Sequence, residues 1–338
     1  MAYKLESLLA LLVLIFIIFI ISPKYLTQLQ DGPRVDIGYT TQNSAIMLFR
    51  DGKNPYMSET INVRNELKPE HRGFHYGPGM LIGYVGSFIA PNVGYKISNL
   101  IFLLGTIVAL VVLIDGARET NANIWHRFSD GCIVIGLFLL PERLWYEVFA
   151  QGANDIFPIM LLLVGLVFVQ KGFLLWAGVA MGFSFVTKFS PAVFLLVLFL
   201  RRDISMKFLI GCTVGTLPLM VFLVWDFKSV VENVFILRFN LGYDSTSLYS
   251  ITPRALHYIF PLIQVLAVLY FLKKNMNKHL GVDALIFCFT SLLIIIEVTF
   301  KEIHANHLIW FYPLFAYLAA RYRHRLLPQL VSNKRLAI

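Results

Sequence analysis

Five groups of side chains in this sequence could do chemistry. They are an early aspartate, an aspartate closing a polar turn, a lysine between two apolar runs, a histidine pair and two arginines. Asp36 lies in the polar stretch 31–79, a short linker after the first apolar run. A carboxylate so placed can act as general base toward a hydroxyl. It equally suits an N-cap for a helix over 39–49, or a solvated loop charge. Tyr39 opens that helix and counts as a substrate-binding candidate beside Asp36, the catalytic candidate, whereas Asp31 sits beside the turn residues Gly32 and Pro33.

Asp155 follows Gln151-Gly152-Ala153-Asn154 and opens an apolar run. Asn154 and Asp155 either cap that helix or meet a ligand at its start. Lys188 interrupts apolar residues on both sides and precedes Phe189-Ser190-Pro191. An ionisable group at membrane depth is costly and faces a cavity or a partner. Lys188 therefore reads as a ligand for an anionic lipid head group, or as a lysine snorkelling to the interface. His304 and His307 have His-x-x-His spacing, but no further close ligand pair supports a metal, so hydrogen bonding to substrate is expected. Arg238 and Arg254 flank an aromatic, polar loop and could pair with phosphate. His75 and Tyr76, before Gly-Pro-Gly, either line a cavity mouth or pack a turn, and Arg143 pairs with its neighbour Glu142.

The elements that must position these groups are apolar. The chain of 338 residues is 57% hydrophobic and 14% charged, about half the usual charged share of a globular domain. Apolar runs fall near 8–21, 79–90, 97–114, 131–140, 156–169, 174–187, 191–200, 207–225, 255–272, 283–299 and 308–320. They are continuous rather than alternating, which excludes a barrel. An all-α, polytopic transmembrane bundle of about 9–11 segments is expected, some short or broken beside Pro91, Pro141 and Pro191. Broken segments at membrane depth are expected to line a cavity.

Basic clusters orient the bundle. Lys171, Arg201-Arg202, Lys273-Lys274-Lys278 and Arg321-Arg323-Arg325 read as cytoplasmic. The expected layout is one integral-membrane domain over 1–338, with a first outer loop at about 23–76 and a cytoplasmic tail at about 321–338. Every polar patch then falls on the outer side. Between 77 and 155 three apolar runs stand where an even number of crossings is required, so 79–90 or 131–140 is not a full span. The net charge of +9 sits largely in short inner loops and does not point to nucleic acid. Cys132, Cys212 and Cys288 lie inside apolar runs and form no disulfide or metal pattern. No small-residue cleavage site follows the first run, which reads as a retained helix. Nucleotide-binding and serine-hydrolase motifs are missing.

The order of the motifs resembles a known family. An aspartate after the first helix is followed by Gly52-Lys53-Asn54-Pro55-Tyr56 and by Tyr76-Gly77-Pro78. Then come Gln151-Gly152-Ala153-Asn154-Asp155, Ala177-Gly178 through Gly182, Lys188 with Pro191, and finally His307, Trp310 and Pro313. Over about residues 1–320 this resembles the integral-membrane glycosyltransferases of superfamily C (GT-C), especially bacterial polyprenyl-phosphate-mannose-dependent mannosyltransferases.

The resemblance implies transfer of a sugar, with inversion, from a polyprenyl-phosphate donor to a lipid or glycan acceptor at the outer face of a bacterial plasma membrane. It maps the catalytic carboxylate onto Asp36. The second acidic residue usual beside it is replaced by Ile37 and Gly38, which favours a base that needs no metal, and no cofactor is expected. Lys188, Arg238 or Arg254 would stabilise the departing phosphate. The competing reading is a transporter or lipid flippase. It predicts paired broken segments in two related halves, whereas this chain stacks its polar loops on one face.

Overall fold

The computed structural model describes residues 2–20, 45–57, 76–89, 91–117, 123–188, 205–236, 247–275, 280–300 and 307–334, with residues 23 and 74. Among the described residues there are helices and turns but no strand. The protein is a helical membrane bundle.

In chain order the elements are α1 (Ala2–Ile20), α2 (45–50), α3 (Gly79–Gly83), a 3₁₀ turn (Val85–Phe88), α4 (Pro91–Gly116) and α5 (Ile124–Leu139). Next come α6 (Glu142–Trp145), a π-helix (Tyr146–Gln151), α7 (Ile156–Gln170), α8 (Leu174–Phe185) and α9 (Met206–Trp225). Then follow α10 (Phe227–Val230), a second π-helix (Val231–Ile236), α11 (Leu248–Ile251) and a 3₁₀ turn (Arg254–Leu256). The last three helices are α12 (Ile259–Asn275), α13 (Val282–Val298) and α14 (Leu308–Lys334). Gly94–Gly116, Met206–Trp225 and Arg254–Lys274 are long and apolar enough to cross a membrane, and Ser7–Ile20, Ile156–Gln170 and Leu174–Phe185 are shorter apolar helices. Helices exposed to lipid keep apolar faces outward; Leu262, Leu266 and Leu269 of α12 and Leu217, Val221 and Val224 of α9 are exposed.

Contacts between helices give the bundle two distinct ends. Gln170 Nε2 donates to Leu113 O near the C-termini of both helices, and Tyr95 Oη donates to Gly152 O at the other end, so α4 and α7 run parallel. Ser7 Oγ donates to Trp125 O, and Ile17 lies beside Gly136, so α1 and α5 run together. Residues 76–88, 142–155, 186–188 and 226 therefore share one end with the C-terminus of α1. Residues 115–117, 123–127, 171–173, 205–207 and 281–283 share the other.

This arrangement shows which run between 77 and 155 is broken. The run 79–90 divides into α3 and a 3₁₀ turn at one end, while α4 and α5 each pass from one end of the bundle to the other. The cause is local. Gly83 packs against the Phe157 ring and Gly94 against the Gly86 carbonyl, contacts that leave no room for a Cβ. The last apolar run extends further than its hydropathy suggests, as helix to Lys334.

The tightest interface is between α8 and α9. A Cβ on Gly178, Gly182, Gly211 or Gly215 would fall 2.2, 2.5, 2.1 or 2.3 Å from a backbone oxygen of the facing helix. Each helix carries Gly-xxx-Gly, the spacing that lets transmembrane backbones touch. Beside this seam, α7, α8 and α9 enclose an open groove of about 310 Å³, lined by Leu161, Phe168, Trp176, Phe183, Val214 and Pro218 among others. Its lining is apolar and carries no acid, base or nucleophile.

Candidate functional site

Polar groups converge at the end where α7 starts and α8 stops. Asp155 is fully buried in front of α7 and makes no capping bond to the helix. Its Oδ1 instead accepts from Lys188 Nζ at 2.5 Å and from Trp310 Nε1 of α14 at 2.8 Å. One carboxylate thus ties together the starts of α7 and α14 and the end of α8. Lys188 is largely buried and stands 5.3 Å above the Tyr76 ring. A buried ammonium needs a counter-charge, and Asp155 supplies it from within the protein.

The backbone around the pair is equally constrained. Gly77 N donates to Thr187 O at 3.1 Å, and Gly79 N donates to Val186 O at 2.9 Å. A Cβ on Gly77 would lie 2.1 Å from Val186 O, so glycine alone admits this approach. Ser184 Oγ donates to Pro158 O, which joins α8 to the first turn of α7. Tyr76 is set by the turn 52–56. Asn54 Oδ1 accepts from Tyr56 N, and the fully buried Tyr56 donates its hydroxyl to Tyr76 O at 2.9 Å. Asn233 of the second π-helix donates to Tyr56 O.

The turn Gly152–Asn154 is held by α4. Gly152 has φ +72°, a left-handed conformation that suits glycine. Tyr95 Oη donates to Gly152 O at 2.6 Å, and Asn99 Nδ2 donates to Val148 O and Ala153 O. Tyr84 donates to Asn99 Oδ1 and stacks on Tyr95, with ring centroids 4.4 Å apart.

His307, at the start of α14, donates from Nδ1 to Glu297 Oε2 at 2.7 Å. It is also within electrostatic reach of Asp155. Among the described residues no group of histidines, cysteines and acids could hold a metal.

The structure therefore brings together four of the sequence candidates: Tyr76, Asp155, Lys188 and His307. Asn154 is buried beside them. Arg254 is exposed on its 3₁₀ turn, and no described contact carries it to the cluster. Asp36, Tyr39, His75, Arg238 and His304 lie outside the described residues. Arg143 pairs with Glu147, one helical turn on, rather than with Glu142. Sequence reasoning named Trp310 only within the motif order, and it missed Glu297, Tyr95 and Asn99. The last two carried a signal, since two polar side chains four residues apart mark one face of an otherwise apolar helix.

Residues 74–235 match the family model described as glycosyltransferase family 87. The matched segment is just under half of the chain. It includes Tyr76, the turn 151–155 and Lys188, and so contains the buried pair and its scaffold. It stops before α12–α14, which contribute Glu297, His307 and Trp310. A search of curated proteins finds no match. The family 87 segment and the apolar helices together support a membrane glycosyltransferase.

Proposed function

We propose that the protein transfers a sugar from a polyprenyl-phosphate donor to a lipid or glycan acceptor at the outer face of the membrane, with inversion and with Asp36 as general base. The observation that carries this reading is the family 87 match over the segment that builds the Asp155–Lys188 pair. Asp36 belongs to the stretch between α1 and α2. Both flanking points lie at the polar end of the bundle, since α2 packs Phe49 on Phe222 and Trp225 at the C-terminus of α9.

The acceptor hydroxyl is a poor nucleophile until a base takes its proton. The departing polyprenyl phosphate needs positive charge, which Lys188, Arg238 or Arg254 would supply. Lys188 does this from a fixed position, because Asp155 and the Tyr76 ring hold its ammonium. Mannose is the sugar that the motif order favours. The apolar sides of α7, α8 and α9 leave the isoprenoid tail in contact with lipid.

The test is transfer by the purified protein in detergent or nanodiscs, with a panel of polyprenyl-phosphate sugars that includes mannose, glucose and arabinose. Turnover with one donor and inverted product stereochemistry is expected. No transfer from any donor, with lipid movement across a vesicle bilayer instead, would replace this reading with a flippase.

A further inference from the structure

A second polar cluster stands apart from the Asp155–Lys188 pair. Arg143 on α6 bonds Glu147 Oε1 at 2.5 Å and stands 4.9 Å above the Tyr146 ring. The Arg143 side chain is 47% exposed while that of Glu147 is 5% exposed. Gln151 Nε2 donates to the Tyr146 hydroxyl. Tyr312 of α14 lies within electrostatic reach of both Arg143 and Glu147. Tyr146, Gln151 and Tyr312 are all partly exposed.

The placement separates this cluster from the first. Trp310 donates to Asp155, and Tyr312 lies within electrostatic reach of Arg143. Residues two apart on a helix are about 200° apart, so Trp310 and Tyr312 project from opposite sides of the first turns of α14. One segment, 142–155, supplies both. Its π-helix carries Tyr146, Glu147 and Gln151, and π-insertions are frequent at functional sites.

We propose that Arg143, Tyr146, Glu147, Gln151 and Tyr312 form a carbohydrate-binding subsite that recognises the hydroxyls of a sugar ring. The cluster is rich in donors and acceptors, and its cation is already neutralised by Glu147. A phosphate would meet the Glu147 carboxylate together with the guanidinium. A neutral polyol can instead accept from Arg143, donate to Gln151 and exchange hydrogen bonds with the tyrosine hydroxyls. Polar groups set among aromatic rings are the usual lining of a small-molecule site. Glu147, buried beneath, fixes the guanidinium plane. This subsite deepens the proposed glycosyl transfer and rests on it for its biological role, although sugar binding is measurable without transfer.

The experiment uses the full chain in detergent and saturation-transfer NMR with methyl glycosides of mannose, glucose, galactose and N-acetylglucosamine. At least one glycoside should bind. Gln151→Ala and the milder Tyr312→Phe should each weaken that binding by about tenfold, the loss of one hydrogen bond to a ligand. Thermal unfolding should stay near wild type for Tyr312→Phe, and Lys171→Ala at the opposite end should bind as wild type. No binding by any glycoside, or equal binding by both variants, overturns the subsite and leaves Arg143 and its tyrosines as interface anchors. Binding that is lost in the variants while no donor supports transfer keeps the subsite and rejects the glycosyltransferase reading.

Discussion

Lys188 and Asp155 meet across 33 residues of sequence in one buried ion pair, Nζ to Oδ1 at 2.5 Å. The aspartate that stands at the start of α7 gives its carboxylate to the lysine just beyond the end of α8. Removing either partner leaves the other without a counter-charge. Asp155→Asn or Lys188→Met is expected to cost about 3–5 kcal/mol, the scale for breaking a buried pair from one side. The double variant should lose less than the sum, with a coupling of about 1–3 kcal/mol. Thermal or denaturant unfolding in detergent measures this. Lys188→Met with wild-type stability and no donor binding would show that an anionic ligand, rather than Asp155, is the lysine's main partner.

Asp36→Asn keeps the side chain's size and its ability to accept a capping bond, but it cannot take a proton. General-base assistance is worth roughly 10²–10⁴-fold. Turnover should fall by about that factor, with donor binding and melting temperature close to wild type. Asp31→Asn should turn over normally. Because Asn caps about as well as Asp, full activity in Asp36→Asn would assign the residue to capping and remove it from the mechanism.

The α8–α9 seam predicts a contrast among glycines. Gly211→Ala places a methyl group 2.1 Å from Leu175 O and must push the helices apart. Overpacking of this kind costs about 1–3 kcal/mol or more. Gly131→Ala in α5 meets only Val111, at 4.0 Å. It should be neutral or stabilise by up to about 1 kcal/mol through helix propensity. Unfolding midpoints of the two variants decide the point.

Sidedness is open to labelling. With the polar end outside, Thr60→Cys in a cysteine-free background should react with an impermeant maleimide on intact cells. Leu330→Cys should react only after permeabilisation. The reverse pattern would place the Asp155–Lys188 end in the cytoplasm and defeat an outer-face reaction.

Asp226, just beyond α9, is held below the usual carboxylate range by bonds from the Ser229 side chain and backbone N–H. A depressed folded pKa stabilises above the unfolded value of about 3.9. That contribution is lost as pH falls through the folded value. Ser229→Ala should move the Asp226 titration upward, as followed by carboxylate NMR of the labelled protein. No change on substitution would remove the Ser229 hydroxyl as a cause and leave its backbone N–H.

The helical membrane class and most spans were legible in the residues themselves. Continuous apolar runs bury nothing useful in water, and 156–169 and 207–225 agree with α7 and α9 to within a residue or so. Lys188 was legible as an anomaly, because a charge between apolar runs demands a partner. Its partner was not legible. Asp155 looks like a cap by position, and only the antiparallel packing of α7 and α8 brings it to Lys188 rather than to its own helix. Trp310 joins them from near the far end of the chain, a contact that no local pattern encodes. The break in 79–90 was hidden for the same reason. Its composition suits a membrane span, and the break comes where Gly83 packs on Phe157 and Gly94 on Gly86. Hydropathy is a property of each segment, so sequence reports it; charge pairing and backbone contact are properties of two segments, and only their packing decides them.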